Sequence, residues 1–136
     1  MAIPALLNLG VLTFFLTCPQ TTAGNLLLNS SLPPRMVPIT VRIDFGPAHK
    51  PVKVQKVTVR DGASPKEALK EVFPVEEGAT CCHPEEVKGI DGVSVDPLKN
   101  WWWRVLINGT GKNVSPQKSH LKAGDIMEWI YFEDAQ

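Results

Sequence analysis

"VTVRDGASPKEALKEVF", Val57–Phe73, is the stretch that decides how this 136-residue chain folds. It opens with valines alternating with polar residues, the period-two pattern of a strand buried on one side. Asp61-Gly62-Ala63 then turns the chain into a helix start that can be argued residue by residue. Ser64 is a good N-cap, Pro65 suits the first helical position, where its missing N–H is not needed, and Glu67 stands three residues after the cap to close a capping box. Ala68, Leu69, Val72 and Phe73 fall on one helical face, and Pro74 stops a helix that is therefore short.

Upstream, "ITVRIDF" (Ile39–Phe45) alternates in the same way and "GPAHKP" turns the chain. "VKVQKVTVR" (Val52–Arg60) resumes the alternation, but Val52 and Val54 are out of phase with Val57 and Val59, so a bulge near Gln55 is expected to restore the facing. Downstream, "EEGATCCHPEE" reads as a polar loop. "VKGIDGVSVDP" follows with a turn at Asp91-Gly92, and "WWWRVLINGTG" (Trp101–Gly111) gives a strand running into the hairpin-turn pair Asn108-Gly109. A second turn at Ala123-Gly124-Asp125 leads to the last strand, "IMEWIYF". Two strands feeding one short helix, followed by further strands, predict an α+β fold with a β-grasp-like mixed sheet packed on that helix.

Met1–Cys18 is apolar and carries no charged side chain, and it is followed by Pro19 and polar residues rather than a basic cluster. It reads as a secretory signal with cleavage after Ala23, although the lack of Lys or Arg near Met1 keeps a retained anchor as the alternative. Residues 24–38, ending in "LPPRMVP", read as a leader without regular structure, and residues 39–136 as the domain. The chain is expected to be secreted and extracellular, with no membrane contact after cleavage. Two sequons, at Asn29 and Asn108, agree with that route; a third at Asn113 is followed by Pro116, which blocks acceptors.

With 14 basic and 14 acidic side chains there is no net charge, which argues against a nucleic-acid or anionic-membrane partner. Cys81 and Cys82 are adjacent. A bridge between them closes a strained eight-membered ring, so a bond to another chain and free thiols stand beside the vicinal disulfide as alternatives. Structural zinc sites space their cysteines more widely, so no metal site is assigned. No catalytic residue is assigned either: nucleophile-elbow, phosphate-loop and His-Glu-x-x-His motifs are all missing, and the histidines are scattered. The enzyme alternative is a thiol activity at Cys82, beside His83.

Four landmarks occur in order: "VTVRDGASPKEALKEV", "VKGIDGVSVD", "WWWRVLINGTG" and "HLKAGDIMEWIYF". Together they resemble the transcobalamin-like C-terminal domain, the smaller β-domain of the transcobalamin, intrinsic factor and haptocorrin family of cobalamin transporters. The resemblance spans about residues 39–132. It implies a β-domain that closes over a corrin held against a larger helical barrel, for which this sequence shows no counterpart. It also implies that Trp103, Arg104 and Leu106 match a ligand-side segment, with Arg104 where the family has a neutral amide.

On a strand, Trp101, Trp103, Val105 and Ile107 face one way and Trp102, Arg104 and Leu106 the other. The first set is the core candidate. The second is a candidate binding surface, unless the segment from Asn29 to Pro38 folds back over Trp102. The ligand-binding candidates are thus Trp102, Trp103, Arg104 and Leu106. The expected function is that of a secreted, non-enzymatic binding module for cobalamin or a related small molecule, or alternatively for an extracellular protein that meets the tryptophan face.

Overall fold

Alternation in strand β1 (Met36–Asp44) is complete: Val37, Ile39, Val41 and Ile43 are buried, with the residues between them turned outward. In this computed structural model the described residues are 32–80 and 83–135. The expected signal, the Asn29 acceptor and the Cys81–Cys82 pair lie outside them. β1 pairs antiparallel with β2 (Lys53–Arg60) and parallel with the last strand, β7 (Ile126–Glu133). β7 pairs antiparallel with β6 (Trp101–Ile107), which gives the order β2-β1-β7-β6. First and last strands lie parallel at the centre, the β-grasp arrangement. A second sheet is formed by β3 (Val75–Thr80), β4 (His83–Ile90) and the two-residue β5 (Val93–Ser94).

Helix α1 (Pro65–Lys70) begins as its sequence dictates. The Glu67 N–H donates to Ser64 Oγ at 3.2 Å, and the Ser64 N–H donates to Glu67 Oε2 at 2.9 Å. The helix ends earlier than Pro74 alone requires. Glu71 is the C-cap, and Val72 and Phe73 leave the helix in a final turn, both donating to the Leu69 carbonyl. Ala68 and Leu69 reach the inner face of the large sheet, where they join Phe45, Leu121, Val87 and Ile90 in the core. A fully buried Leu stabilises by roughly 1.5–3 kcal/mol.

Three expectations need correcting. β1 starts at Met36, so residues 36–38, expected to lack regular structure, belong to the domain and Pro38 sits inside a strand. The Pro38 carbonyl accepts from Gly124 N–H on the β7 side. Its missing N–H points the same way and costs the β1–β2 ladder nothing. Second, β2 contains no bulge at Gln55: its register with β1 is unbroken from Lys53 to Arg60. Val54, opposite Arg42, simply lies on the outer face and is 62% exposed, which an edge strand tolerates. Third, the expected polar loop is the β3–β4 hairpin, from Val75↔Ile90 to Thr80↔His83. Its register shifts between Glu76 and Glu77 and again between Gly78 and Thr80, which breaks the period-two pattern that would have marked it as strand.

Gly46 lets the chain leave β1. Its φ is +41°, and a Cβ there would lie 2.1 Å from the Tyr131 carbonyl oxygen. Gly46→Ala is therefore expected to destabilise the fold by at least about 2 kcal/mol, read as a lowered thermal midpoint, because strain and clash act together. The capping box makes a second prediction. The Ser64 N–H holds the Glu67 carboxylate below the ordinary range, with Arg60 assisting against a small desolvation cost. A lowered folded-state pKa gives stability that is present above the unfolded value of about 4.3 and lost as pH falls through the folded one. Glu67→Gln, which keeps the box geometry, should flatten the acid limb of the stability–pH curve by lowering stability at neutral pH, so that variant and wild type converge at low pH.

Candidate functional site

Helix α1 and the small sheet both lie on the inner side of the four-stranded sheet, and no described element covers the outer side. The alternation of β6 settles the tryptophans. Trp103 and Val105 are buried, and Trp101 and Ile107 pack partly against the same core. Trp103 meets Phe45 edge-on at 5.9 Å and Tyr131 at 5.0 Å, and its indole N–H donates to the Val93 carbonyl at 2.9 Å. Trp103 is thus a core residue with one edge on a neighbouring cleft, not an open contact.

Trp102 faces outward beside its cross-strand partner Phe132. Its indole N–H donates to Asn100 Oδ1 at 2.7 Å. Asn100 also donates through Nδ2 to the Asp134 carbonyl and accepts through its own carbonyl from Asp134 N–H at 2.9 Å. Asn100 has φ +57°, a conformation that Asn adopts more readily than most residues. It ties the end of β7 to the start of β6 and fixes the indole plane. Arg104 lies over the Phe132 ring at 4.7 Å, and Leu106 continues the face opposite Glu128. Ile130 lies between Arg104 on β6 and Asp44 on β1, and Arg42 pairs with Glu128 at the centre of the face. The result is an aromatic and aliphatic stripe with one exposed cation.

Residues 32–38, the described part of the segment named as the alternative cover for Trp102, enter β1 at the far end of the sheet. Thr40 is level with Ile126, whereas Trp102 is level with Phe132. Along the free edge of β6, Trp103 to Leu106 form one wall of a cleft of about 480 Å³, and Gly111, Lys112, Val114 and Pro116 form the other. Sequence reasoning brought Trp102, Arg104 and Leu106 to one face correctly but missed Asn100. The only signal for it was an Asn directly before an aromatic run.

Asn108 sits exposed in its hairpin turn at φ +50°. Its Nδ2 donates to Asp125 Oδ1 at 2.9 Å, and its Oδ1 accepts from Ile126 N–H. A glycan on Nδ2 would leave one N–H there for Asp125. Among the described residues no three His, Cys, Asp or Glu side chains converge as metal ligands, and no helix is long and apolar enough to cross a membrane. Burial, with Asp96 nearby, pushes the Tyr131 phenol up, so it stays a donor to the Ser94 carbonyl throughout the neutral range.

The two outward and inward indoles should separate in a melt. Trp103→Ala removes a buried indole and leaves the Val93 carbonyl unpaired, an expected loss of about 3–5 kcal/mol. Trp102→Ala should cost less than about 1.5 kcal/mol, since its ring lies only part-buried on the outer face and outside the core cluster. Equal losses in thermal or denaturant unfolding would make both indoles core.

No protein-family model and no curated protein matches the chain. Solved structures do match. A protein from Ruminococcus gnavus, described as a candidate metal binder, aligns over 73% of this chain and 99% of its own, with TM-score 0.58 and 22% identity. Haptocorrin in complex with Cbi aligns over 76% of this chain with TM-score 0.61 and 12% identity. The chain spans only 26% of the haptocorrin's length, so the likeness is to one part of that protein. At these identities both show the fold alone, and it is the fold that the four sequence landmarks had implied.

Proposed function

We propose that this chain is a secreted, non-enzymatic binding module that takes a small molecule of the corrinoid class, cobalamin or a relative, on the outer face of β6 and β7. The observation that carries the reading is the uncovered aromatic face: Trp102 held by Asn100, Phe132 beside it, Leu106 and Ile130 along it and Arg104 at hand. A corrin is a broad ring edged with amide side chains. A fixed indole offers it flat apolar area at low entropic cost, and an arginine offers donors to its amides. The likeness of the fold to haptocorrin, solved with Cbi bound, supports the ligand class.

Secretion is supported by the apolar, uncharged run at Met1–Cys18 and by the sequons at Asn29 and Asn108. A binding rather than catalytic role is supported by the lack of a catalytic motif in the sequence. The histidines with described contacts fit this too: His120 Nδ1 lies 2.9 Å from the Gly62 carbonyl, and His49 closes the short turn after β1. A protein partner is the second reading, favoured by one observation: aromatic side chains with an arginine are the usual anchors of protein interfaces.

Titration of the purified chain with cobalamin and with cobinamide, followed by tryptophan fluorescence, tests the proposal. Saturable quenching at micromolar ligand is expected, weakened at least roughly tenfold by Trp102→Ala, since an aromatic anchor commonly contributes about 2 kcal/mol or more. No saturable change with either ligand would sink the small-molecule reading for this chain and leave the protein partner.

A further inference from the structure

β6 is an edge strand, and the backbone groups on its free side can be accounted for one by one. The Asn108 N–H donates across to the Ile126 carbonyl of β7 at 2.8 Å. By alternation the even-numbered residues of β6 turn their N–H and C=O toward β7, and the odd-numbered ones turn theirs away. Of the four odd residues the outer two are satisfied. Trp101 exchanges both bonds with Asp96, at 2.9 and 3.0 Å, and Ile107 exchanges both with Thr110, each at 3.0 Å. Trp103 and Val105, between them, have no backbone partner on that side among the described residues.

The chain that could have supplied one passes close by and turns off. A continued hairpin would set Lys112 opposite Val105. Instead the Val114 N–H returns to the Gly111 carbonyl at 3.2 Å, and Asn113 takes φ +62°. The divergence opens the cleft of about 480 Å³ between β6 and the return loop. Its walls are apolar at Trp103, Leu106, Val114 and Pro116, its two charged residues are Arg104 and Lys112, and no lining side chain is acidic. The opposite edge, β2, carries Lys53, Lys56 and Arg60, the usual guard against strand addition. At its odd positions β6 carries only Trp, Val and Ile.

We propose that this cleft is a strand-addition site for a short acidic peptide. A stretch of about three extended residues pairs with Trp103 and Val105, confined by Asp96 at one end and Thr110 at the other, and sets a carboxylate near Arg104 and Lys112. Two residues with free N–H and C=O allow up to four backbone hydrogen bonds. The partner is therefore selected by an extended backbone and negative charge rather than by a long sequence. The site uses the backbone edge of β6 and shares Arg104 and Leu106, but not Trp102, with the outward face, so Trp102 tells the two readings apart.

The test uses the full purified chain and three capped peptides: acetyl-Thr-Val-Glu-Val-Thr-amide, the same peptide with Lys for Glu, and the same peptide N-methylated at its three central residues. The acidic peptide is expected to bind saturably at up to millimolar concentration. At saturation it should slow amide hydrogen exchange at Trp103 and Val105 at least roughly tenfold, because each N–H gains a partner. The Lys peptide should bind roughly tenfold more weakly, and Lys112→Glu should narrow or reverse that preference. The N-methylated peptide should not bind. No saturable binding of the acidic peptide overturns the proposal. So does binding that leaves exchange at Trp103 and Val105 unchanged, or equal binding by the N-methylated or Lys peptide. Trp102→Ala, which is expected to weaken corrinoid binding at least roughly tenfold, should leave peptide binding within about twofold, so the two readings fail separately.

Discussion

Among the described residues, two hydrogen bonds hold β5 of the small sheet to the large one: Trp103 Nε1 to the Val93 carbonyl and Tyr131 Oη to the Ser94 carbonyl, 2.9 and 2.7 Å. Their donors are cross-strand partners on β6 and β7, packed at 5.0 Å, and their acceptors are the two residues of β5. Each donor is buried on an apolar face, where an unsatisfied polar group costs about 1–3 kcal/mol. β5 in turn has only two residues of ladder with β4. The large sheet needs the acceptors and β5 needs the donors, so Ile90 and Val87 of β4 are carried into the core by an arrangement neither sheet could hold alone. By contrast Trp129, buried at the centre of β7, has no partner for its indole N–H among the described residues. Its burial is driven by area alone.

That coupling also decides which side of the large sheet is open. α1 and the small sheet claim the inner face, and β1 and β7 are central and parallel, so the chain needs long connections and both cross on the inner side. The outer face is left with Trp102, Phe132, Ile130 and Leu106 around the Arg42–Glu128 pair. Edge strands β6 and β2 differ for the same reason. β2 is reached through the 3-10 turn Gly46–Ala48, left by the turn at Asp61-Gly62, and lined with lysine and arginine. β6 is flanked by chain that approaches at Asp96 and Thr110 and then departs.

Local signals in the sequence were legible wherever the physics is local. The capping box at Ser64 and Glu67, the turns at Asp91-Gly92 and Asn108-Gly109, and the facing of Trp101, Trp102 and Trp103 each depend on residues within four positions of one another. What could not be read depends on pairing between distant segments. Val54 is exposed only because Arg42 lies opposite it on an outer face, so its phase suggested a bulge where none exists. The β3–β4 hairpin was hidden because its register shifts scramble the alternation by which a strand is recognised. Asn100 matters because Asp134 reaches it from the end of β7, a contact thirty-four positions away in sequence. The free edge of β6 was invisible for a similar reason: it exists only because the hairpin separates after one bridged pair.

β6 therefore divides its residues between two tasks, and the pleat keeps them apart. Odd residues bury their side chains and turn their backbone groups to the free edge, while even residues lock their backbone groups into β7 and turn their side chains to the outer face. A substitution at Trp102, Arg104 or Leu106 changes what the outer face can grip and leaves the ladder intact. One at Trp103 or Val105 disturbs the core, but the edge groups it presents are backbone and survive any change of side chain except proline. The outer surface can thus vary in specificity at little cost in stability, whereas the edge offers every partner the same two pairs of donors and acceptors. An edge of that kind discriminates only through what surrounds it, which places the burden of selectivity on Arg104, Lys112 and the turn at Asn113 that holds the cleft apart.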